Sequence, residues 1–243
     1  MINVLICGIG GKMGAALYGL LRDGNARAVC GVDLHAPENV SIPVYPSFNE
    51  VKEKVDVIID FSSPAVLKGE LDWAVKNGVP VVLGSTGFSD SDLQLIENSA
   101  KSIAIFRTAN FSLGVNLLMK LVRQSAEVLG EGFDIEIIEK HHNQKADAPS
   151  GTALMLAESA NVGNSNYVYG REGACRRGSE IGIHAVRGGT IVGEHDVMFA
   201  GEDEIITLSH SARSKKVFAA GAIKAALFLA GKPAGKYDMQ DII

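Results

Sequence analysis

The chain has no long run of lysine or arginine, and its 23 basic side chains are outnumbered by 28 acidic ones, leaving a formal net charge of −5. Nucleic-acid surfaces need a basic stripe, so nucleic acid is not an expected partner. The pair Arg176-Arg177 reads as solvated surface. Cysteine is scarce: Cys7, Cys30 and Cys175 show no metal-ligand spacing. Cys7 and Cys30 stand in apolar, strand-like runs, where a buried reduced thiol is the default. No apolar run approaches the roughly 20 residues that cross a bilayer, and the start lacks a basic region followed by a long apolar one. A soluble, cytoplasmic chain without membrane association is therefore expected. With 243 residues, 47% of them hydrophobic, there is enough to build a real core in one large domain or two modest ones.

What the first half does contain is glycine at the junctions between short strands and helices. Residues 2–7 form an apolar, β-branched run suited to a buried parallel strand. Gly8-Ile9-Gly10-Gly11-Lys12-Met13-Gly14 follows, then Ala15, Leu17, Tyr18, Leu20 and Leu21 in a helical pattern. A second strand over 26–32 ends in Asp33. Glycines let the backbone approach a pyrophosphate, and a helix N-terminus favours its charge. An acid about 20 residues further on can accept hydrogen bonds from a ribose. The ordered series of strand, glycines, helix, strand and acid predicts a dinucleotide site; the alternative is a plain turn with Asp33 solvated. Met13 stands where the commonest fingerprint has its third glycine, and Gly8, Gly11 and Gly14 form a GxxGxxG series instead.

Further apolar runs at 55–61, 79–83 and 103–106 alternate with helical patterns, which predicts an α/β fold with a parallel, doubly wound sheet. Two of these runs lead into Gly84-Ser85-Thr86-Gly87 and Thr108-Ala109-Asn110-Phe111-Ser112. Such residues at strand ends suit the ligand edge of the sheet, or an ordinary turn and N-cap. Trp73 reads as a half-buried packing residue.

The second half has a different rhythm. Residues 113–129 form an amphipathic helix with Ser112 as a plausible N-cap, and 133–140, 181–186, 195–199 and 204–209 alternate as strands. Gly188-Gly189 and Gly201-Glu202-Asp203 suit turns and hairpins, and 161–178 reads as a long loop. A mostly antiparallel or mixed sheet with helices is expected. The apolar helix 217–229 is expected to dock back on the first sheet. Residues 1–112 and 215–243 would then form one discontinuous domain around 113–214.

The chemistry concentrates in Glu139-Lys140-His141-His142-Asn143-Gln144-Lys145-Ala146-Asp147-Ala148-Pro149-Ser150-Gly151-Thr152-Ala153. A strand delivers two histidines and a lysine into a loop that ends at a helix N-terminus. Histidine and lysine donate protons or offset negative charge. The Gly151 and Thr152 amides can seat a carboxylate or phosphate. A small acidic molecule is the expected ligand. Adjacent His141 and His142 point to opposite faces of an extended backbone, which predicts separate roles. Either histidine alone would suit a structural hydrogen bond; the neighbourhood shifts the pair and Lys145 towards function. A metal would need further ligands. Asp147 is at hand, but Lys145 and the helix N-terminus oppose a cation, so no metal is expected.

The motifs 8–14, 84–87, 109–116 and 139–153 together resemble the bacterial dihydrodipicolinate reductases, now called 4-hydroxy-tetrahydrodipicolinate reductases. The similarity runs from Met1 to Gly235-Lys236-Tyr237-Asp238-Met239. This resemblance implies a discontinuous Rossmann-like domain for NADH or NADPH. It also implies an α+β domain with a mixed sheet that binds substrate and builds a homotetramer. It assigns cofactor binding to Gly8, Ile9, Gly10, Gly11, Lys12, Met13, Asp33, Gly84, Ser85, Thr86, Thr108, Ala109, Asn110 and Phe111. His141 matches the acid/base and Lys145 the proton donor, while His142, Gly151 and Thr152 match the positions that hold the substrate dicarboxylate. The implied reaction reduces a cyclic conjugated imine to tetrahydrodipicolinate, on the route to diaminopimelate and lysine. Many members place an arginine directly after the ribose-binding acid; here Leu34-His35 follow Asp33, so NADH should serve at least as readily as NADPH, unless Lys12 compensates. Ser85 stands where threonine is common. The rival readings are another two-domain dehydrogenase, for amino acids or sugars, and a nucleotide sensor without turnover. Neither has a reason to carry His141-His142, Lys145 and Ser150-Gly151-Thr152 together. Closure of two lobes around the ligands is expected.

Overall fold

The computed structural model describes residues 1–22, 24–163 and 165–243. In chain order the first elements are β1 (Ile2–Cys7), α1 (Lys12–Leu20), β2 (Ala26–Val32), β3 (Val44–Tyr45), β4 (Val57–Asp60), α2 (Leu67–Asn77), β5 (Val81–Leu83), α3 (Asp90–Ser99) and β6 (Ala104–Arg107). Then come α4 (Leu113–Leu129), β7 (Asp134–His141), α5 (Gly151–Ala160), β8 (Tyr167–Tyr169), β9 (Ile181–Arg187), β10 (Gly193–Ala200) and β11 (Ile205–Ala212). The chain closes with α6 (Lys216–Leu229) and β12 (Gly235–Tyr237). Two units result: Met1–Ser112 with Lys216–Ile243, and Leu113–Lys215. Among the described residues no helix is long and apolar enough to cross a membrane.

The first unit is built on a seven-stranded sheet in the order β12-β6-β5-β4-β1-β2-β3, parallel throughout. Its central strands are apolar at successive positions because helices cover both faces: Val4, Leu5 and Ile6 of β1 and Val57, Ile58 and Ile59 of β4 are completely buried. Helix α1 packs with α6, and α2 with α3. Trp73 is half-buried against Phe48, with ring centroids 6.1 Å apart. Cys7 and Cys30 are buried free thiols.

The second unit holds a five-stranded mixed sheet, β11-β10-β7-β9-β8. Strands β7, β9 and β8 run parallel, while β10 is antiparallel to both β7 and β11. Helix α4 packs on β11, and α5 packs on α4, β7 and β9. The core between helices and sheet includes Val122, Ile137, Leu156, Val197 and Phe199.

Three expectations need correction. The segment 161–178 is not all loop, because β8 lies within it and pairs with β9; Asn164 lies outside the described residues. Gly188-Gly189 does not join a hairpin, because β7 lies between β9 and β10; only the turn after Ala200 does so. Arg177 is not simply solvated. Its guanidinium meets Asp134 at 2.8 Å and Glu136 at 3.2 Å and donates to the carbonyls of Ile135 and Glu180.

Candidate active site

In the first unit, the predicted nucleotide residues lie at the carboxyl ends of β1, β2, β5 and β6. The turn after β1 is held by Gly8 N donating to Val32 O at 2.9 Å and Gly11 N to Gly8 O at 3.1 Å. Gly8 has φ +77°, and a Cβ on Gly14 would stand 2.2 Å from Gly8 O, so both positions require glycine. Gly11 occupies the N-cap of α1 and supplies no side-chain cap. The first-turn amides of α1 thus get no internal anion from their cap. The Asp33 carboxylate accepts from Gly10 N at 2.9 Å and His35 N at 3.2 Å. Gly10, Lys12, Thr86 and Ala109 are exposed, whereas Ile9, Ser85, Asn110 and Phe111 are buried. The Phe61 ring fills the space that a Cβ on Gly84 would need, 2.5 Å away, and sits 5.4 Å from the Phe111 ring. Thr108 Oγ1 donates to Asn110 O at 3.1 Å and accepts from Asn110 N at 3.3 Å, folding that loop on itself. An uncapped helix N-terminus, a glycine turn and an acid at the next strand end fit a dinucleotide.

In the second unit the histidine loop rests on a buried carboxylate that the sequence reading passed over. Glu139 and His141 share a face of β7, two residues apart. Glu139 is fully buried and His141 is 9% exposed. One Glu139 oxygen accepts from His141 Nδ1 at 2.6 Å and Arg187 Nη1 at 2.8 Å. The other accepts from Arg187 Nη2 at 2.7 Å and Ser150 N at 2.9 Å. Burial alone would raise the Glu139 carboxyl, but the Arg187, His141 and Ser150 hydrogen bonds outweigh it and hold it below the usual carboxylate range. This orients His141 with Nδ1–H towards Glu139 and leaves Nε2 for other chemistry. Gly193 lies beside it, and a Cβ there would come within 3.1 Å of Nε2.

The loop is fastened at several points. Gly188 N donates to His141 O at 2.9 Å, Asn143 N to Gly189 O at 3.2 Å, and Arg187 Nη2 to Asp147 O at 2.6 Å. Lys145 Nζ donates to the exposed Asp147 carboxylate at 2.8 Å, and this bond holds Asp147 below its ordinary range. Ser150 caps α5, its Oγ accepting from Ala153 N at 3.2 Å and lying 3.0 Å from His195 Nε2. The His195 ring meets that of His141 edge-on, 5.2 Å between centroids. Burial first, then His141, depresses His195 to about 4. His142 is half-buried and Gly151 exposed. The structure thus gathers His141, Ser150 and the start of α5 around Glu139, with Arg187 and His195 as additions.

Comparison with known proteins bears on both units. Residues 2–111 match the family described as dihydrodipicolinate reductase, N-terminus, and residues 114–243 match dihydrodipicolinate reductase, C-terminus. The chain belongs to the dihydrodipicolinate reductase family. It is 51% identical to the 4-hydroxy-tetrahydrodipicolinate reductase of Caldanaerobacter subterraneus, over 100% of this chain and 98% of that one. Its identity to the namesake protein of Clostridium tetani is 46%, over 98% and 96% of the two chains. The dipicolinate-bound dihydrodipicolinate reductase from Paenisporosarcina shares its fold with a TM-score of 0.82 and 28% identity, each chain covered in full. This reductase is accordingly an NAD(P)H-dependent oxidoreductase with a Rossmann-like first unit and a mixed-sheet second unit.

Proposed function

We propose that this reductase converts 4-hydroxy-tetrahydrodipicolinate, after loss of its hydroxyl as water to give the conjugated dihydrodipicolinate, to tetrahydrodipicolinate in diaminopimelate and lysine biosynthesis, with the His141–Lys145 loop supplying the proton that accompanies the hydride. The observation that carries the proton assignment is the Arg187–Glu139–His141 chain of hydrogen bonds at the head of that loop. A bound NAD(P)H supplies the hydride. Residues 8–13, Asp33, 84–86 and 108–111 hold it in this reading. The α1 N-terminus faces its phosphates, and Asp33 exchanges its bond from Gly10 N for bonds from the ribose. An anionic Asp33 repels a 2′-phosphate, so NADH is accepted at least as readily as NADPH.

The cyclic diacid is seated by the Gly151 and Thr152 amides and by His142, while Lys145 exchanges its exposed Asp147 partner for a substrate carboxylate or ring nitrogen. As the ring accepts hydride, negative charge grows at its nitrogen. A proton from Lys145 or from His141 Nε2 lowers that barrier. Glu139 steadies the imidazolium and fixes its tautomer, and Arg187 keeps Glu139 ionised. Replacing Lys145 by alanine is expected to lower kcat by about 10²–10⁴-fold, read as loss of NADH absorbance with freshly prepared substrate at saturation. A kcat close to that of the parent would remove Lys145 from the mechanism.

The same reading includes a homotetramer formed through the second unit's sheet. Its support is that α4 and α5 cover one face of that sheet, while Val186, 45% exposed, and half-buried Ile138 and Met198 belong to the other.

A further inference from the structure

Beneath the nucleotide loops of the first unit lies a closed polar cluster that this mechanism does not use. Asp60, the last residue of β4, is 1% exposed, and Glu70 on α2 is 0% exposed. One Asp60 oxygen accepts from Ser62 N at 2.8 Å and from the Ser62 hydroxyl; the other accepts from the Ser85 hydroxyl. Cys7, at the end of β1, donates its thiol hydrogen to Ser62 Oγ at 3.5 Å. One carboxylate thus ties together the exits of β1, β4 and β5. The loops it joins are already in contact, because the Phe61 ring lies where a Gly84 side chain would be.

Glu70 gives this cluster its character. Neither carboxyl oxygen of Glu70 has a hydrogen-bond partner, and a Glu70 oxygen lies within 4.8 Å of both an Asp60 oxygen and Cys7 Sγ. Two carboxyls enclosed this closely in a low-dielectric pocket do not readily both ionise. Burial, and then Asp60, pushes Glu70 well above the carboxylate range; burial also raises Asp60, though the hydrogen bonds from Ser62 work against that rise. Burial, then Glu70 and Asp60, likewise pushes the Cys7 thiol up. With three hydrogen-bond donors on Asp60 and none on Glu70, the geometry puts the charge on Asp60 and leaves Glu70 neutral.

We propose that Asp60 is a positioning residue for the reduced nucleotide, its carboxylate setting the backbone of residues 84–86 by holding Ser62 and Ser85 together. Glu70 preserves this arrangement by staying neutral, since a second anion would compete for the same hydroxyls. The inference rests on the assignment of residues 84–86 to the nucleotide. Losing a charge-assisted hydrogen bond that sets a binding loop is expected to cost roughly 10- to 100-fold in affinity.

The test measures NADH and dipicolinate affinities by titration calorimetry on the full chain, with KM and kcat alongside. Asp60→Asn and Ser85→Ala are each expected to raise Kd and KM for NADH by about tenfold or more. Dipicolinate affinity stays at the parent value, and the double variant is no weaker than Asp60→Asn alone, because both side chains act through one bond. Should Asp60→Asn fail to fold, Ser62→Ala, which loses a hydroxyl bond to Asp60 at a residue outside the nucleotide assignment, decides with the same two titrations. The titratable groups facing Glu70 are Asp60 from β4 and Cys7 from β1. Glu70→Gln, neutral at every pH, should keep the parent's NADH affinity at neutral pH. A tenfold or greater loss of NADH affinity in Glu70→Gln would overturn the part given to Glu70. An unchanged NADH Kd in Asp60→Asn, additive effects in the double variant, or a parallel loss of dipicolinate affinity would overturn the part given to Asp60. A parent that binds dipicolinate but no NADH would instead bring down the nucleotide assignment itself, and the inference with it.

Discussion

His195 shows how one residue's surroundings become a property of the fold. It stands opposite Glu139 in the β7–β10 register, is 4% exposed and leaves Nδ1 without a partner. In the folded chain its pKa falls from 6.5 to about 4, so its contribution to stability is complete above pH 6.5. Between 6.5 and about 4 the unfolded chain takes up a proton that the folded chain refuses, and stability falls by roughly 1.4 kcal/mol per pH unit, about 3 kcal/mol in all. His195→Asn should flatten most of that slope in denaturant melts across this range. A residual slope from His210, also depressed by burial, should remain. Equal slopes in parent and variant would contradict the burial argument. Glu180 acts in a lower window: its pKa drops from 4.5 to about 2, chiefly through Arg171, so its stabilisation is lost only as pH falls through that range. At this scale the sequence was legible where residues cluster. His141, His142 and Lys145 lie within five positions, and Glu139 could have been found from the two-residue period of a strand. Arg187 and His195 could not, since only the registers that set Arg187 against His141 and His195 against Glu139 bring them in.

Among the elements, α1 carries the tightest constraint. Its Gly14 leaves 2.2 Å between a would-be Cβ and Gly8 O, a backbone atom that cannot swing aside. Gly14→Ala should cost about 1–3 kcal/mol by overpacking and weaken NADH binding by displacing the glycine turn. Gly19→Ala, in the same helix with open space around it, should gain up to about 1 kcal/mol. Thermal unfolding and NADH titration of the pair separate the two, and equal behaviour would refute the close-approach argument. The long periodic elements of both halves are visible in the sequence because each buries a face at a regular spacing. Strand β8 is not, having only three residues inside a polar stretch, anchored where Arg171 meets Glu136 at 2.9 Å and Glu180 at 2.9 Å. Gly188-Gly189 misleads for a related reason: local turn chemistry is the same whether the next strand pairs beside the last one or one place beyond.

For the whole molecule, the proposed tetramer through the second unit's open sheet face can be measured directly. Sedimentation is expected to give four times the chain mass of 25.7 kDa, and Val186→Glu, which places a charge on that face, should shift the population to smaller species. A parent that sediments as a monomer at micromolar concentration would exclude the tetramer. The two-unit plan was legible because strand rhythm changes after residue 112 and an apolar helix returns near the end.

That return has a further bearing on how the polypeptide matures. All residues of the second unit are continuous in the chain, whereas the first lacks α6, which packs on β4, β5 and β6, and β12, which pairs with β6, until the last stretch has been made. The inserted unit needs no later residue to fold, while the older half lacks one flank of its sheet until α6 and β12 are in place. A chain cut after residue 215 would therefore be able to complete its histidine-bearing unit yet remain unfinished as a nucleotide binder.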